Sequence, residues 1–143
     1  AALMALALAA CGDDPSALVP EGRIEGDALP QPLNAAPGNA ERGRLLFIER
    51  EGGHCILCHQ VKGLEADFQG NVGPELSDVG ARLSAGQIRL RIVDASRINP
   101  DIVMPSYHRV KDLRQVAPEF ADKPVLSAQE VEDLVSYLET LGG

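Results

Sequence analysis

The sequence has no tryptophan, and aromatic residues make up only 3% of its 143 positions. A core so poor in large rings gains from a flat apolar cofactor. Basic residues are also scarce: 13 Lys and Arg stand against 21 Asp and Glu, for a formal net charge of −8. An acidic surface of this kind argues against nucleic acid and anionic headgroups as partners. No stretch alternates β-branched residues in the way a strand does, and no internal repeat is present. Beyond the first ten residues, AALMALALAA, there is no long apolar run, and ten residues are too few to span a bilayer. Cysteine is limited to three and histidine to three. The length suits one domain with a modest core.

What is present divides the chain into three parts. The opening ten residues read as a signal-peptide h-region, without the Met and basic n-region that would precede it. Leu8-Ala9-Ala10-Cys11, followed by Gly12, resembles a bacterial lipobox, in which Cys11 becomes a lipidated N-terminus. An ordinary cleavage after Ala7-Leu8-Ala9 is the alternative, and it leaves Cys11 a free thiol. Both readings predict export, to a periplasm, and the first predicts a membrane-anchored lipoprotein. Residues 12–38 form a Pro-, Gly- and acid-rich linker. Pro15, Pro20, Pro30, Pro32 and Pro37 interrupt any helix there. As a flexible tether it would average about 30 Å end to end. The alternative is an arm that wraps its own domain or a partner.

The third part, 39–143, is predicted to be an all-α domain with long loops. Asn39 can cap a helix running through Glu51, with Ala40, Gly43, Leu46 and Phe47 on one face and Gly52-Gly53 stopping it. Ser84 with Gln87 forms a capping box for a middle helix carrying Ile88, Ile92 and Val93, ended by Asn99-Pro100. Ser127 with Glu130 forms another, and Val131, Leu134, Val135, Leu138 and Leu141 follow at helical spacing.

Between the first two helices stands His54-Cys55-Ile56-Leu57-Cys58-His59. Cys-x-x-Cys-His is the attachment motif of c-type haem. Two thiols with two residues between them add across the two vinyl groups of one haem, and the adjoining His59 is placed to ligate the iron. A redox dithiol is a rival, but no βαβ pattern surrounds the pair. Half a zinc site is another, but no second Cys pair exists. For the sixth iron position Met104 is the first candidate, since Met4 lies in the signal segment and Met/His ligation suits electron transfer. Pro105 holds Met104 extended. His108 is the less favoured alternative, and Lys111 a remote one. His54 is expected at the surface.

These features resemble the class I cytochrome c fold, whose first and last helices cross beside a covalent haem. Gly43 and Phe47 match the small-then-aromatic pair of its first helix, and Leu134 and Tyr137 the pair it packs against. Gly73-Pro74-Glu75-Leu76 matches the segment whose proline carbonyl, here that of Pro74, fixes the proximal imidazole. Arg82 sits where a side chain often pairs with a haem propionate; a solvated loop arginine is the alternative.

A narrower resemblance lies in Asn99-Pro100-Asp101-Ile102-Val103-Met104-Pro105-Ser106-Tyr107-His108-Arg109 and in the stretch from Arg114 onward. Both are similar to the SoxX family, monohaem subunits of SoxAX complexes in thiosulfate oxidation. The resemblance covers most of 40–141. It implies an electron-transfer subunit with no catalytic residue of its own. The partner would be a SoxA-like dihaem or monohaem cytochrome carrying the catalytic haem. There thiosulfate is coupled oxidatively to a cysteine of a SoxYZ-like carrier, as in an L-cysteine S-thiosulfotransferase, and electrons pass to a small cytochrome c. A free-standing lipid-anchored cytochrome acting as an electron shuttle is the alternative function, and an exported non-haem binding protein a third. Ile56, Leu57 and Val61 suggest an apolar docking rim, or else packing under the chain's own loops. Arg109, Lys111 and Arg114 suggest a basic partner-binding patch.

Overall fold

The computed structural model describes residues 18–143; the signal segment, Cys11 and the first part of the linker lie outside them. Among the described residues there is no strand, only an isolated antiparallel bridge between Glu25 and Ala28. Five α-helices follow one another: α1 (Ala40–Ile48), α2 (Cys55–Cys58), α3 (Val79–Arg82), α4 (Ala85–Asp94) and α5 (Ala128–Glu139).

The helix starts fall where the capping residues stand. The Asn39 side chain accepts from the Arg42 amide at 2.8 Å. Ser84 with Gln87, and Ser127 with Glu130, each form the reciprocal pair of bonds of a capping box. The ends differ from expectation. α1 stops at Ile48, not Glu51, because Glu49 turns extended (φ −67°, ψ 136°). Arg50 then reaches away to the Asp67 carbonyl at 2.6 Å, binding the turn to the loop opposite. α4 ends at Asp94 and tightens into a 3-10 turn over Ala95–Arg97 before Asn99-Pro100.

α1 packs chiefly on α5. Gly43 makes this crossing close: a Cβ there would collide with the Asp133 main chain. Phe47 meets Tyr137 edge-on, ring centroids 5.6 Å apart at 60°, the favoured aromatic geometry. Val131, Leu134 and Val135 bury the opposite side of α5 against the core with Leu90 and Ile88 of α4. Asp133 fastens the crossing, accepting from the Asn39 amide at 2.8 Å and from Arg42 Nε at 2.7 Å. Burial works against its charge, but the bonds from Arg42, Gln129 and Asn39 outweigh it and hold its pKa below the ordinary carboxylate value.

Residues 18–38 are not a free tether. They wrap the domain as an arm, the second of the two readings. Leu29 is fully buried, and its amide donates to the Gly86 carbonyl at 2.8 Å. Arg89 and Glu132, both buried, form a two-pronged ion pair at 2.8 Å in each prong. Arg89 also donates to the Leu29 carbonyl at 2.9 Å, and Glu132 accepts from the Leu33 amide at 2.9 Å. The pair therefore joins α4, α5 and the arm, with its donors and acceptors shared out among all three. Asp27 with Arg91, and Glu21 with Arg97, add ion pairs nearer the surface. Proline and missing periodicity mark the segment as non-helical, which a wrapped arm and a tether share.

Candidate functional site

The Cys55–His59 turn is built from its neighbours outward. His54 takes the left-handed conformation (φ 56°) and turns the chain into α2. It is exposed, as expected. Within the turn the His59 amide donates to the Cys55 carbonyl at 2.9 Å. The following loop then braces it: the Gly70 amide donates to Ile56, Gly73 to Cys58 and Leu76 to Gln60, at 2.8, 2.8 and 2.9 Å. Gln69 adds a side-chain clasp, accepting from the Val61 amide at 2.7 Å and donating to the Leu64 carbonyl at 3.1 Å.

The result is a histidine whose ring is fixed. His59 Nδ1 lies 2.8 Å from the Pro74 carbonyl oxygen. A carbonyl can only accept, so Nδ1 carries the proton and Nε2 is left with its lone pair for a metal. Gly73 lies flat against the ring, and a Cβ there would run into it. Cys55 and Cys58 are free thiols beside it. Burial pushes the Cys55 thiol up to about 12. A redox dithiol needs a thiol whose pKa is depressed, the reverse of what Cys55 shows. A cradle glycine, an oriented imidazole and two thiols at the right spacing fit a covalent haem.

Tyr107 belongs to this site, although the sequence marked it only as part of a longer motif. It is buried. Burial raises its phenol pKa, and Cys55 and Cys58 raise it further. Met104 is half-buried and packs against the core. His108 goes elsewhere. Its Nδ1 lies 2.7 Å from the Leu126 carbonyl oxygen, and its ring lines a cavity of about 310 Å³ shared with Leu18, Val19 and Ile24 of the arm. The His108 ring therefore faces the Leu126 carbonyl and the arm, and Met104 remains the candidate distal ligand. Arg82 binds Asp78 at 2.7 Å and the Glu75 carbonyl at 3.1 Å, on the surface beside the Pro74 segment.

Ile56 and Val61 are core residues, as the second of their two readings has it, and only Leu57 of the three is exposed, at 40%. One surface expectation is corrected. Arg109 is not a free basic contact, because it is bound to Asp94 at 3.0 Å and Ser96 at 3.1 Å.

The family model for cytochrome c matches residues 40–142. The chain belongs to the cytochrome c family. Among solved structures, the crystal structure of SoxXA from P. pantotrophus is similar at TM-score 0.77 and 30% identity, over 83% of this chain and 93% of that one. The crystal structure of the c-type cytochrome SorU from Sinorhizobium meliloti is similar at TM-score 0.47 and 25% identity, over 73% of this chain and 91% of that one. A search of curated proteins found no match. This cytochrome is an all-α, class I, SoxX-like member of the family, an electron-transfer protein whose cofactor is covalent haem c. Among its described residues no helix is long and apolar enough to cross a membrane.

Proposed function

We propose that this cytochrome is the electron-transfer subunit of a periplasmic SoxAX-type complex. In this reading Cys55 and Cys58 attach the haem, His59 is the proximal ligand and Met104 the distal one. The likeness to SoxXA carries the proposal: it spans 93% of that chain and 83% of this one, reaching beyond the family match over 40–142.

The haem supplies a reversible one-electron iron couple. The rest is the work of this chain's residues. The Pro74 carbonyl accepts the His59 Nδ1 proton and makes Nε2 a stronger donor. Gly73 fixes the plane of the ring. Arg82, held by Asp78 next to that segment, is the propionate partner. Thioether formation uses both cysteines of the domain and leaves none for sulfur chemistry. His59 and Met104 would together hold the iron and leave it no place for a substrate. A chain of net charge −8 is also a poor collector of a dianion such as thiosulfate. Sulfur chemistry therefore falls to a SoxA-like partner, where thiosulfate is joined to a carrier cysteine and two electrons are released. This chain takes them one at a time and passes them to a small cytochrome c. Lipidation at Cys11 would hold the complex at a membrane.

Pull-down of the tagged chain from its host grown on thiosulfate tests the reading. The expected result is a second, larger haem-staining band in a complex that reduces cytochrome c only when thiosulfate and carrier are present. A single small haem band with no partner would overturn it in favour of a free-standing electron shuttle.

A further inference from the structure

Asp94 closes α4 with its side chain buried. A carboxylate out of water needs partners, and those of Asp94 come from two directions. Ser96, on the adjoining 3-10 turn, donates to Oδ1. Arg97, on the same turn, lies 3.4 Å from Oδ2. The other two come from the loop that carries Met104. Ser106 Oγ donates to Oδ1 at 2.6 Å, and Arg109 Nη1 donates to Oδ2 at 3.0 Å. The main chain of the same loop is pinned to the same helix end. The Tyr107 amide donates to the Ile92 carbonyl and the His108 amide to Val93, both at 3.2 Å.

Ser106 stands two residues after Met104, across Pro105. Pro105 has a fixed φ and no amide proton to bond. The first anchored side chain after Met104 is therefore Ser106. On the other flank, Ile102 and Val103 are exposed, Val103 at 83%, and give the loop little packing. On the C-terminal side of Met104 a buried carboxylate thus supplies the side-chain anchors, beside the main-chain bonds of Tyr107 and His108.

We propose that Asp94 is a positioning residue for Met104: through Ser106 and Arg109 it clamps the loop to the end of α4 and so holds the thioether on the iron. The inference rests on the reading of Met104 as the distal ligand. Loosening the clamp raises the fraction of molecules with Met104 off the iron. An added ligand that binds only those molecules then gains apparent affinity in proportion.

The test uses the haem-loaded ferric protein, wild type and four variants: Met104→Ala, Asp94→Asn, Ser106→Ala and Ser96→Ala. Two quantities are read, the far-red thioether-to-iron absorption band and the affinity for added imidazole. Ser106→Ala and Ser96→Ala each remove one hydroxyl donor from the same carboxylate oxygen, but only Ser106 lies in the ligand loop; Ser96 meets that loop only as a second acceptor for Arg109, which keeps its bond to Asp94. Ser106→Ala and Asp94→Asn should bind imidazole about tenfold more tightly than wild type, which corresponds to about 1.4 kcal/mol. Ser96→Ala should stay within about twofold, a change of about 0.4 kcal/mol. Equal effects of the two serine variants, or no effect of Ser106→Ala, overturn the clamp, and neither result depends on Asp94→Asn folding. A wild-type protein without the far-red band, or a Met104→Ala protein that keeps it, overturns the ligand assignment instead.

Discussion

The segment holding His59 and the segment holding Met104 are secured by different means. Around His59 the bonds are mostly main chain to main chain, from Gly70, Gly73 and Leu76 back to the Cys55–Gln60 turn, and the acceptor that orients the imidazole is itself a backbone carbonyl. Around Met104 the fixed points include a buried side chain, Asp94, with Ser106 and Arg109 attached to it. A main-chain brace persists through most substitutions and fails only where a side chain is added in a tight place. A carboxylate hub fails whenever its charge or a partner is removed.

The largest effect tests the proximal side itself. Cys58→Ser or His59→Ala should abolish covalent haem, read as loss of the haem-stained band on a denaturing gel. Next comes the buried pair that joins α4, α5 and the arm. Arg89→Met leaves Glu132 charged and unpaired, which should cost about 3–5 kcal/mol in urea unfolding, while Arg89→Met with Glu132→Leu recovers much of that loss. Gly73→Ala pushes a methyl into the His59 ring and should cost about 1–3 kcal/mol, with a lower yield of haem-loaded protein. Pro74→Ala keeps the carbonyl that His59 uses, so it should cost about 1 kcal/mol or less and leave the absorption spectrum unchanged. A Pro74→Ala effect larger than that of Gly73→Ala would break the distinction between the two kinds of hold.

Acid sharpens the same contrast. Burial opposes the charge on Asp94, but Ser106, Ser96 and Arg109 more than compensate and hold its pKa below the ordinary value. A lowered carboxylate pKa stabilises the fold above the unfolded value of about 3.9, and that stability is lost as the pH falls through the lower folded value. Urea midpoints should therefore fall as the pH is taken from above 4 to below 3, and Asp94→Asn should flatten part of that fall. Asp133, lowered by Arg42, Gln129 and Asn39 against its burial, should supply a second part in the same direction.

The proximal side was legible in the sequence because its signals are local. Two cysteines, a histidine and a Gly-Pro fall close together, and the caps at Asn39, Ser84 and Ser127 mark helix starts without reference to anything distant. The arm was harder, because Leu29 is a single anchor among prolines and leaves no period to detect. Arg109 looked like a surface charge because its partner is Asp94, which spacing alone does not connect to it. A signal for that hub was present. Asp94 is four residues after Leu90 and directly follows Ile92-Val93, so helical spacing sets it on the apolar face, where a carboxylate implies a waiting partner. For Ile56 and Val61 an exposed rim and packing under loops both stay open in the sequence, because the folding of the 60–76 loop over them is long-range information. His108 is the less favoured distal ligand in the sequence, and the direction its ring takes, toward the Leu126 carbonyl, depends on the pairing of 107–108 with the end of α4, which spacing along the chain does not give.

The measurement that tests the central claim most directly is the intact mass of the chain matured in a periplasm, before and after treatment with a thiol-alkylating reagent under denaturing conditions. The account predicts the mass of one added haem and no alkylation at Cys55 or Cys58. The bare polypeptide mass with both thiols alkylated, from a host that attaches haem to a control cytochrome, would contradict it.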